Sequence, residues 1–374
     1  MSSPTSLRLM NRRRLIEAVL RSGRAPRGEL SRVTGISPAT VSRIVDELLA
    51  EGVLSESAST SPSTGMGRPS TWIELEHQTP RVLAVRLGVS RTRVAQAPLA
   101  LPSADDWQST FDTPDSAAQW AAILRKNVKA DSTLKAIVLS VPGVVDETGA
   151  RVLMSPNLRW TEKVDLQSMV SQLAPKCPVM VVQELRALAL GHLAMNPQER
   201  DFLLIDFGTG VGAAAVANGQ LYAGPLPLSG EIGHTPVLGN RRPCGCGSVG
   251  CVETLVSRRG LLASCPGRSI EWPELSKRLR DASPPAWLRK SLDAAAVSVA
   301  SALNVLGLRR VVVTGWPADA SPAVVEHLAK SIRSDAMWAR FGEVEVVTAP
   351  RRRLAGLVSV AIRRLLLTDP VAND

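Results

Sequence analysis

A chain of 374 residues that is 45% hydrophobic is long enough for two or three domains with cores of their own. No run approaches twenty apolar residues and the first six are too short and polar for a secretory leader. These features exclude a helical membrane protein and predict a soluble, cytoplasmic one. The net charge of +10 favours a polyanionic partner wherever that charge is concentrated.

The charge is concentrated first at the N-terminus, where residues 1–45 carry nine arginines against two acids, Glu17 and Glu29. Leu7 to Arg21 places Leu15, Ile16, Val19 and Leu20 on one face and predicts a first helix, ended by Gly23. Arg27 to Thr34, with Leu30 and Val33 apolar, predicts a second, stopped by Gly35. Ser37 then caps a third, with Pro38 in its first turn and Val41, Ile44, Val45 and Leu48 facing inward. This is a helix-turn-helix pattern. Its third helix leaves Ser37, Ala39, Thr40, Ser42 and Arg43 on the outer, N-terminal side. Small and hydroxyl side chains let a helix approach base edges, and Arg43 can reach a guanine or a phosphate. Val53 to Ser57 and Ser70 to Leu75 alternate like two strands of a wing, with Arg68 in the polar loop between them, suited to a minor groove or a phosphate. Helix lengths, capping, basicity and wing together predict that residues 1–76 bind double-stranded DNA rather than present a merely solvated basic face.

Residues 77–80 read as a linker, and strands alternate with helices over 81–374. Strands are expected at Val82–Leu87, Thr92–Ala97, Ala136–Val141, Val179–Val182, Phe202–Asp206, Gly212–Val216, Val311–Thr314 and Val344–Thr348. Helices are expected at Asp115–Lys129, Leu185–Ala194, Leu288–Leu306 and Leu354–Leu367. Such alternation predicts an α/β architecture with two similar lobes around a cleft.

Three of the five cysteines fall between Glu231 and Glu253. Cys244, Cys246 and Cys251 stand at C-x-C-x4-C spacing, with His234 upstream. Thiolates and an imidazole are the ligands of a tetrahedral zinc site, and Gly245, Gly247 and Gly250 let a short loop turn the sulfurs toward one point. One structural Zn2+ is expected, because cysteines that serve only as small buried hydrophobes have no reason to cluster between glycines. Cys177 and Cys265 read as lone thiols, and His77, His192 and His327 as ordinary surface or core residues. This cysteine usage fits a reducing compartment better than a disulfide framework.

The winged helix followed by SVPGVVD, SPNLRW, GTGVGAAAVANGQLYAG, GEIGH and CGCGSVGCVE resembles the ROK family of bacterial repressors and sugar kinases across nearly the whole chain. The resemblance implies an N-terminal winged helix-turn-helix joined to a two-lobed, actin-like ATPase fold of the ribonuclease H-like class. It also implies a sugar in the cleft and zinc on His234, Cys244, Cys246 and Cys251. Members with such a head look like the xylose and N-acetylglucosamine repressors. Against the family's kinase motifs this chain departs in several places. Arg86 stands at the first phosphate-loop Asp, where a cation would oppose magnesium; Glu184 stands at the catalytic Asp; Gln183 at a sugar-binding Asn. Trp316 puts an indole at the second glycine of the nucleotide-side loop, while the glycine turn after Asp206 survives. Phosphoryl transfer needs a metal-holding carboxylate and amides that cradle the phosphates, so the chain is expected not to be a kinase.

By the same resemblance Asn157, Gln183, Glu184, Glu231, His234 and Glu253 would line an effector site for sugar hydroxyls, with the zinc fixing the loop that presents His234 and Glu253. Arg186 would add a cation near the cleft and admit an acidic or phosphorylated ligand. The basic runs Arg351–Arg353 and Arg363–Arg364 read as a solvated helix face, with an auxiliary DNA contact the alternative. The expected function is a transcriptional repressor, a homodimer or homotetramer on operator DNA, whose sugar-like effector shifts the recognition helices. A sugar kinase with an appended DNA-binding head and a ligand-independent DNA-binding protein are the competing readings.

Overall fold

The structure is a computed structural model that describes residues 4–58, 71–222, 229–267, 270–281 and 283–367. The head comprises α1 (Pro4–Ser22), β1 (Arg24–Pro26), α2 (Arg27–Thr34), α3 (Pro38–Ala50), β2 (Leu54–Ala58) and β3 (Thr71–Leu75). Helix α3 turns Val41, Ile44, Val45 and Leu48 inward, each no more than 1% exposed, and this apolar stripe docks it on the core formed by Leu15, Ile16, Val19 and Leu30. Its N-terminus is set by the Ser37 hydroxyl, which accepts from the Thr40 amide, and by Pro38 at the first turn. Gly35, in the left-handed region at φ 67°, closes α2 by donating to Ser31 O. The three head strands pair antiparallel in the order β1-β3-β2. Strand β1 was not legible in the sequence: three residues ending in proline show no alternation. The wing tip that carries Arg68 lies outside the described residues.

The body contains two five-stranded sheets. The first uses β4 (Val82–Leu87), β5 (Arg91–Ala97), β6 (Ser109–Asp112), β7 (Ala136–Val141) and β10 (Val179–Gln183). Helix α4 (Ala117–Asn127), the small hairpin β8 (Val144–Asp146) and β9 (Arg151–Met154), and helix α5 (Leu166–Ser171) come between them; α6 (Glu184–Met195) follows β10. The second uses β11 (Phe202–Phe207), β12 (Val211–Ala217), β13 (Gln220–Leu221), β14 (Arg310–Gly315) and β15 (Glu345–Thr348). Its helices are α7 (Glu253–Val256), α8 (Arg258–Ser264), α9 (Trp272–Asp281), α10 (Ala286–Leu306), α11 (Pro322–Asp335) and α12 (Arg353–Ile362).

The strand orders β6-β5-β4-β7-β10 and β13-β12-β11-β14-β15 describe one topology used twice. In each, the first strand opens an antiparallel meander on one side and pairs parallel with the next strands on the other. The central strands β4, β7, β11 and β14 are nearly continuous apolar runs because helices cover both their faces. Two charged residues break the pattern at matching places, Arg86 fifth in β4 and Asp206 fifth in β11. Helices α6 and α12, which follow the last strand of each sheet, cross where a side chain would not fit. A Cβ on Gly191 would lie 2.2 Å from Arg352 O, and one on Gly356 2.1 Å from Ala187 O. No described helix is long and apolar enough to cross a membrane.

Candidate functional site

Arg86 of β4 and Asp206 of β11 look onto one cleft of about 320 Å³, and all six residues expected to hold an effector line it: Asn157, Gln183, Glu184, Glu231, His234 and Glu253. Their surroundings differ from a simple set of sugar acceptors. Gln183 caps α6, its Oε1 accepting from the Leu185 and Arg186 amides at 2.7 and 2.9 Å. Glu253 accepts from the Val211 amide at 2.8 Å, which ties α7 to the glycine turn after Asp206. Burial raises the Glu231 carboxyl above its usual range, with the Glu253 charge adding to that push and His234 opposing it.

Glu184 is held by two guanidiniums. Arg86 donates to its Oε1 at 2.8 Å from Nε, with Nη2 at 2.6 Å, and Arg353 donates at 2.9 Å. Burial alone would raise this carboxyl. The Arg86 and Arg353 charges and their hydrogen bonds override it and hold the pKa at about 2. Asp206 is held likewise: Arg351 donates at 2.6 and 2.9 Å and the Thr314 hydroxyl at 2.7 Å. The cleft therefore contains two carboxylates held by guanidiniums, Asp206 through both oxygens and Glu184 through Oε1, where two cations meet one acid.

Two expectations about arginines are corrected. Arg186 is not a cleft cation. It turns away to Glu147 at 2.9 Å, because its amide sits in the first turn of α6 and its side chain projects toward the β8–β9 hairpin. Arg351 and Arg353 do not lie on a solvated face. They sit in the cleft with side chains 16% and 14% exposed, paired with Asp206 and Glu184. A run of cations at a helix N-terminus opposes the helix dipole, and that was the available signal that acids elsewhere must hold them. Arg363 and Arg364 are also engaged in the body, the latter with Glu147 at 2.7 Å.

Six arginines, Arg86, Arg91, Arg93, Arg258, Arg351 and Arg353, line the cleft against four carboxylates, Glu184, Asp206, Glu231 and Glu253. Arg93 lies directly across the β4–β5 ladder from Arg86, a like-charge pairing that destabilises a sheet unless something answers it. Burial and then the Arg86 charge lower the Arg93 pKa, and burial and then Arg351 lower that of Arg258. The Nε–H groups of both residues are buried without a hydrogen-bond partner among the described residues, although the Arg258 guanidinium stacks over the Trp272 ring at 4.9 Å. Sequence reading missed both arginines, since neither stands in a motif. Trp316, at the nucleotide-side loop, does not line the cleft. It is buried, donates to Val256 O at 2.8 Å and packs edge-on against Phe207, because the preceding β14 is covered on both faces.

Beside the cleft, His234, Cys244, Cys246 and Cys251 bring one ligand atom each within 4.8 Å of one another. Cys246 and Cys251 sulfurs are 3.8 Å apart, and Cys244 Sγ lies 3.5 Å from His234 Nδ1. A tetrahedron with zinc–sulfur and zinc–nitrogen bonds of ordinary length has S···S and S···N edges of about 3.8 and 3.6 Å. The donor set therefore fits zinc. The loop holds this shape partly through Gly250, at φ 87°, where a Cβ would stand 2.7 Å from Asn240 O. The imidazole's other nitrogen faces Glu231 Oε2 at 3.7 Å, which links the cysteine cluster to the cleft.

On the head, Ser37, Ala39 and Arg43 are exposed and Thr40 and Ser42 half-exposed. The Ser37 hydroxyl also donates to Thr40 Oγ1 at 2.9 Å, so these two are partly occupied with each other. The acids of α3 and its C-cap are neutralised from the two preceding helices: Arg8 bonds Glu47, Arg27 bonds Asp46, and Arg12 bonds the C-cap residue Glu51. No acid is paired with Arg43 among the described residues, so α3 presents its cationic end outward.

A model of the ROK family matches residues 108–362, and a winged helix-turn-helix DNA-binding model matches residues 11–55. The xylose repressor of Caldicellulosiruptor bescii is 28% identical over 273 residues, 70% of this chain and 67% of that protein. The transcriptional dual regulator NagC of Escherichia coli is 25% identical over 253 residues, 64% of this chain and 60% of that one. Among solved structures, a ROK family transcriptional regulator homologous to the E. coli MLC protein aligns at TM-score 0.76 and 20% identity, over 96% of this chain and 98% of its own. A ROK family glucokinase from Streptomyces griseus, solved with glucose and AMPPNP, aligns at TM-score 0.60 and 23% identity, over 75% and 97%.

Proposed function

The chain belongs to the ROK family, and from that premise we propose that it is a DNA-binding, sugar-responsive transcriptional regulator, a repressor, whose kinase-like body binds its effector without phosphorylating it. The observation that carries this reading is the ion cluster of Glu184 with Arg86 and Arg353. A general base for a sugar hydroxyl must be free to accept a proton, and a carboxylate held at about pKa 2 by two cations is a poor acceptor. Arg86 also puts positive charge where a kinase needs a metal-holding acid. Trp316 does not line the cleft, so this reading rests on charge and not on an obstructing indole.

The effector we propose carries an anionic group. The cleft holds two more arginines than carboxylates, and among the described residues neither Arg93 nor Arg258 is in a salt bridge, which supports an anionic group on the ligand. Asn157, Glu231 and Glu253 remain for hydroxyls. His234, Cys244, Cys246 and Cys251 would hold one Zn2+, which as a structural ion supplies fixed charge and no chemistry; the residues themselves brace the loop bearing Glu253. Residues 1–76 serve as the DNA-binding head, 77–80 as its linker and 81–374 as the effector and dimerisation body. Ser37, Ala39, Thr40, Ser42 and Arg43 face the major groove, and two heads in a dimer, or four in a dimer of dimers, read operator half-sites. An effector that favours one lobe arrangement changes their spacing.

A thermal-shift panel of neutral hexoses, amino sugars, their phosphates and sugar acids tests the reading. Phosphorylated or acidic sugars raise the melting temperature, neutral ones do so less, and Arg93→Gln abolishes the difference. Hexose phosphorylation from ATP and magnesium at enzymatic rates would overturn the regulator reading in favour of a kinase.

A further inference from the structure

A second cavity, of about 360 Å³, lies between the head and the body. One wall is the face of α1 bearing Arg13, Glu17, Leu20 and Arg21; the other is the end of α12, the end of α6 and the turn between β12 and β13. Its charged lining is Arg13, Arg21, Arg200 and Arg363 with the single carboxylate Glu17, which Arg13 already holds at 2.9 Å. Its floor is apolar, from Leu20, Leu193, Ile362 and Leu367. Helix α12 passes here into a π-helical turn, Arg363–Leu367, a geometry that often marks functional positions. The turn sends consecutive cations apart. Arg364 reaches Glu147 in the first half of the body at 2.7 Å, while Arg363 reaches Gln220 and Gly219 of the second half at 3.4 and 3.5 Å and also feels the Glu17 charge of α1.

We infer that this junction is a second ligand site, for a small organic anion whose apolar part rests on the leucine floor and whose phosphate or carboxylate faces the guanidiniums. The charge excess supplies the attraction and the floor the selectivity over inorganic ions. Because the head forms one wall and the body the other, a bound ligand favours the head orientations that keep both walls in reach. The site is separate from the cleft and does not depend on the effector proposed for it.

Calorimetric titration of the full-length, zinc-loaded chain with phenyl phosphate tests the inference, with inorganic phosphate and phenol as the two halves of the probe. The expected result is saturable phenyl phosphate binding, at least tenfold tighter than either half. Arg363→Gln and, independently, Arg21→Gln weaken it tenfold or more, and Arg125→Gln, exposed on α4 and lining neither cavity, leaves it unchanged. Arg21 is exposed, so that variant decides the matter if Arg363→Gln does not fold. Absence of saturable binding, binding indifferent to Arg21→Gln, or binding lost with Arg125→Gln would each overturn the site.

Discussion

Glu184 shows how one residue decides between chemistry and structure. Its carboxylate is ionised across the physiological range and is the shared counter-charge of two largely buried cations. Replacing it with glutamine leaves Arg86 and Arg353 uncompensated, and the chain should lose about 3 kcal/mol of stability near neutral pH. A folded-state pKa of about 2, below the ordinary carboxylate value of 4.5, means that this contribution is fully present above pH 4.5 and disappears as pH falls toward 2. Urea midpoints of wild type and Glu184→Gln should therefore differ most at neutral pH and converge on acidification; a constant gap would show that the ion cluster is not its source. Arg43 is the opposite case, an exposed cation with no acid paired to it among the described residues. Arg43→Ala should cost about 1–3 kcal/mol of duplex affinity, measured by fluorescence anisotropy, at unchanged melting temperature. Retained affinity would place the reading surface elsewhere on the head.

Among the elements, the sequence was most legible where a local rule acted alone. Helix α3 carries its cap, its proline and its apolar spacing within fourteen residues, Ser37 to Ala50, and the cysteine cluster carries its ligands within eighteen, His234 to Cys251. What stayed hidden was decided by partners far along the chain. Arg351 is held by Asp206, 145 positions away, and no window around the arginine run contains that information. The crossing of α6 and α12 is another such case, since Gly191 and Gly356 look like ordinary weak points of two helices until the backbones meet. Gly356→Ala drives a methyl group into the Ala187 carbonyl and should destabilise the chain by about 1–3 kcal/mol, read as a lower melting temperature. An unchanged melting temperature would show that the helices can separate freely. Cys246→Ser removes one of four converging donors. Metal analysis should find about one zinc per wild-type chain and almost none in the variant, with proteolysis between Glu231 and Glu253 accelerated; equal zinc content would contradict the site.

At the level of the whole molecule, the alternation of strands and helices predicted two lobes, and the structure resolves them into one topology used twice. That repetition could not be seen as sequence identity. The strands VLAVRL and FLLIDF share little beyond being apolar with one charge, because a strand buried on both faces asks only for hydrophobicity. The charge at that shared place has opposite sign in the two halves, Arg86 facing Glu184 in one and Asp206 facing Arg351 in the other. Exchanging Arg86 for aspartate would set two carboxylates side by side with Arg353 alone between them, so an acid at this position would lower stability whatever chemistry it offered. The inverted charge thus acts as a latch: each arginine can be exchanged only together with the acid it faces.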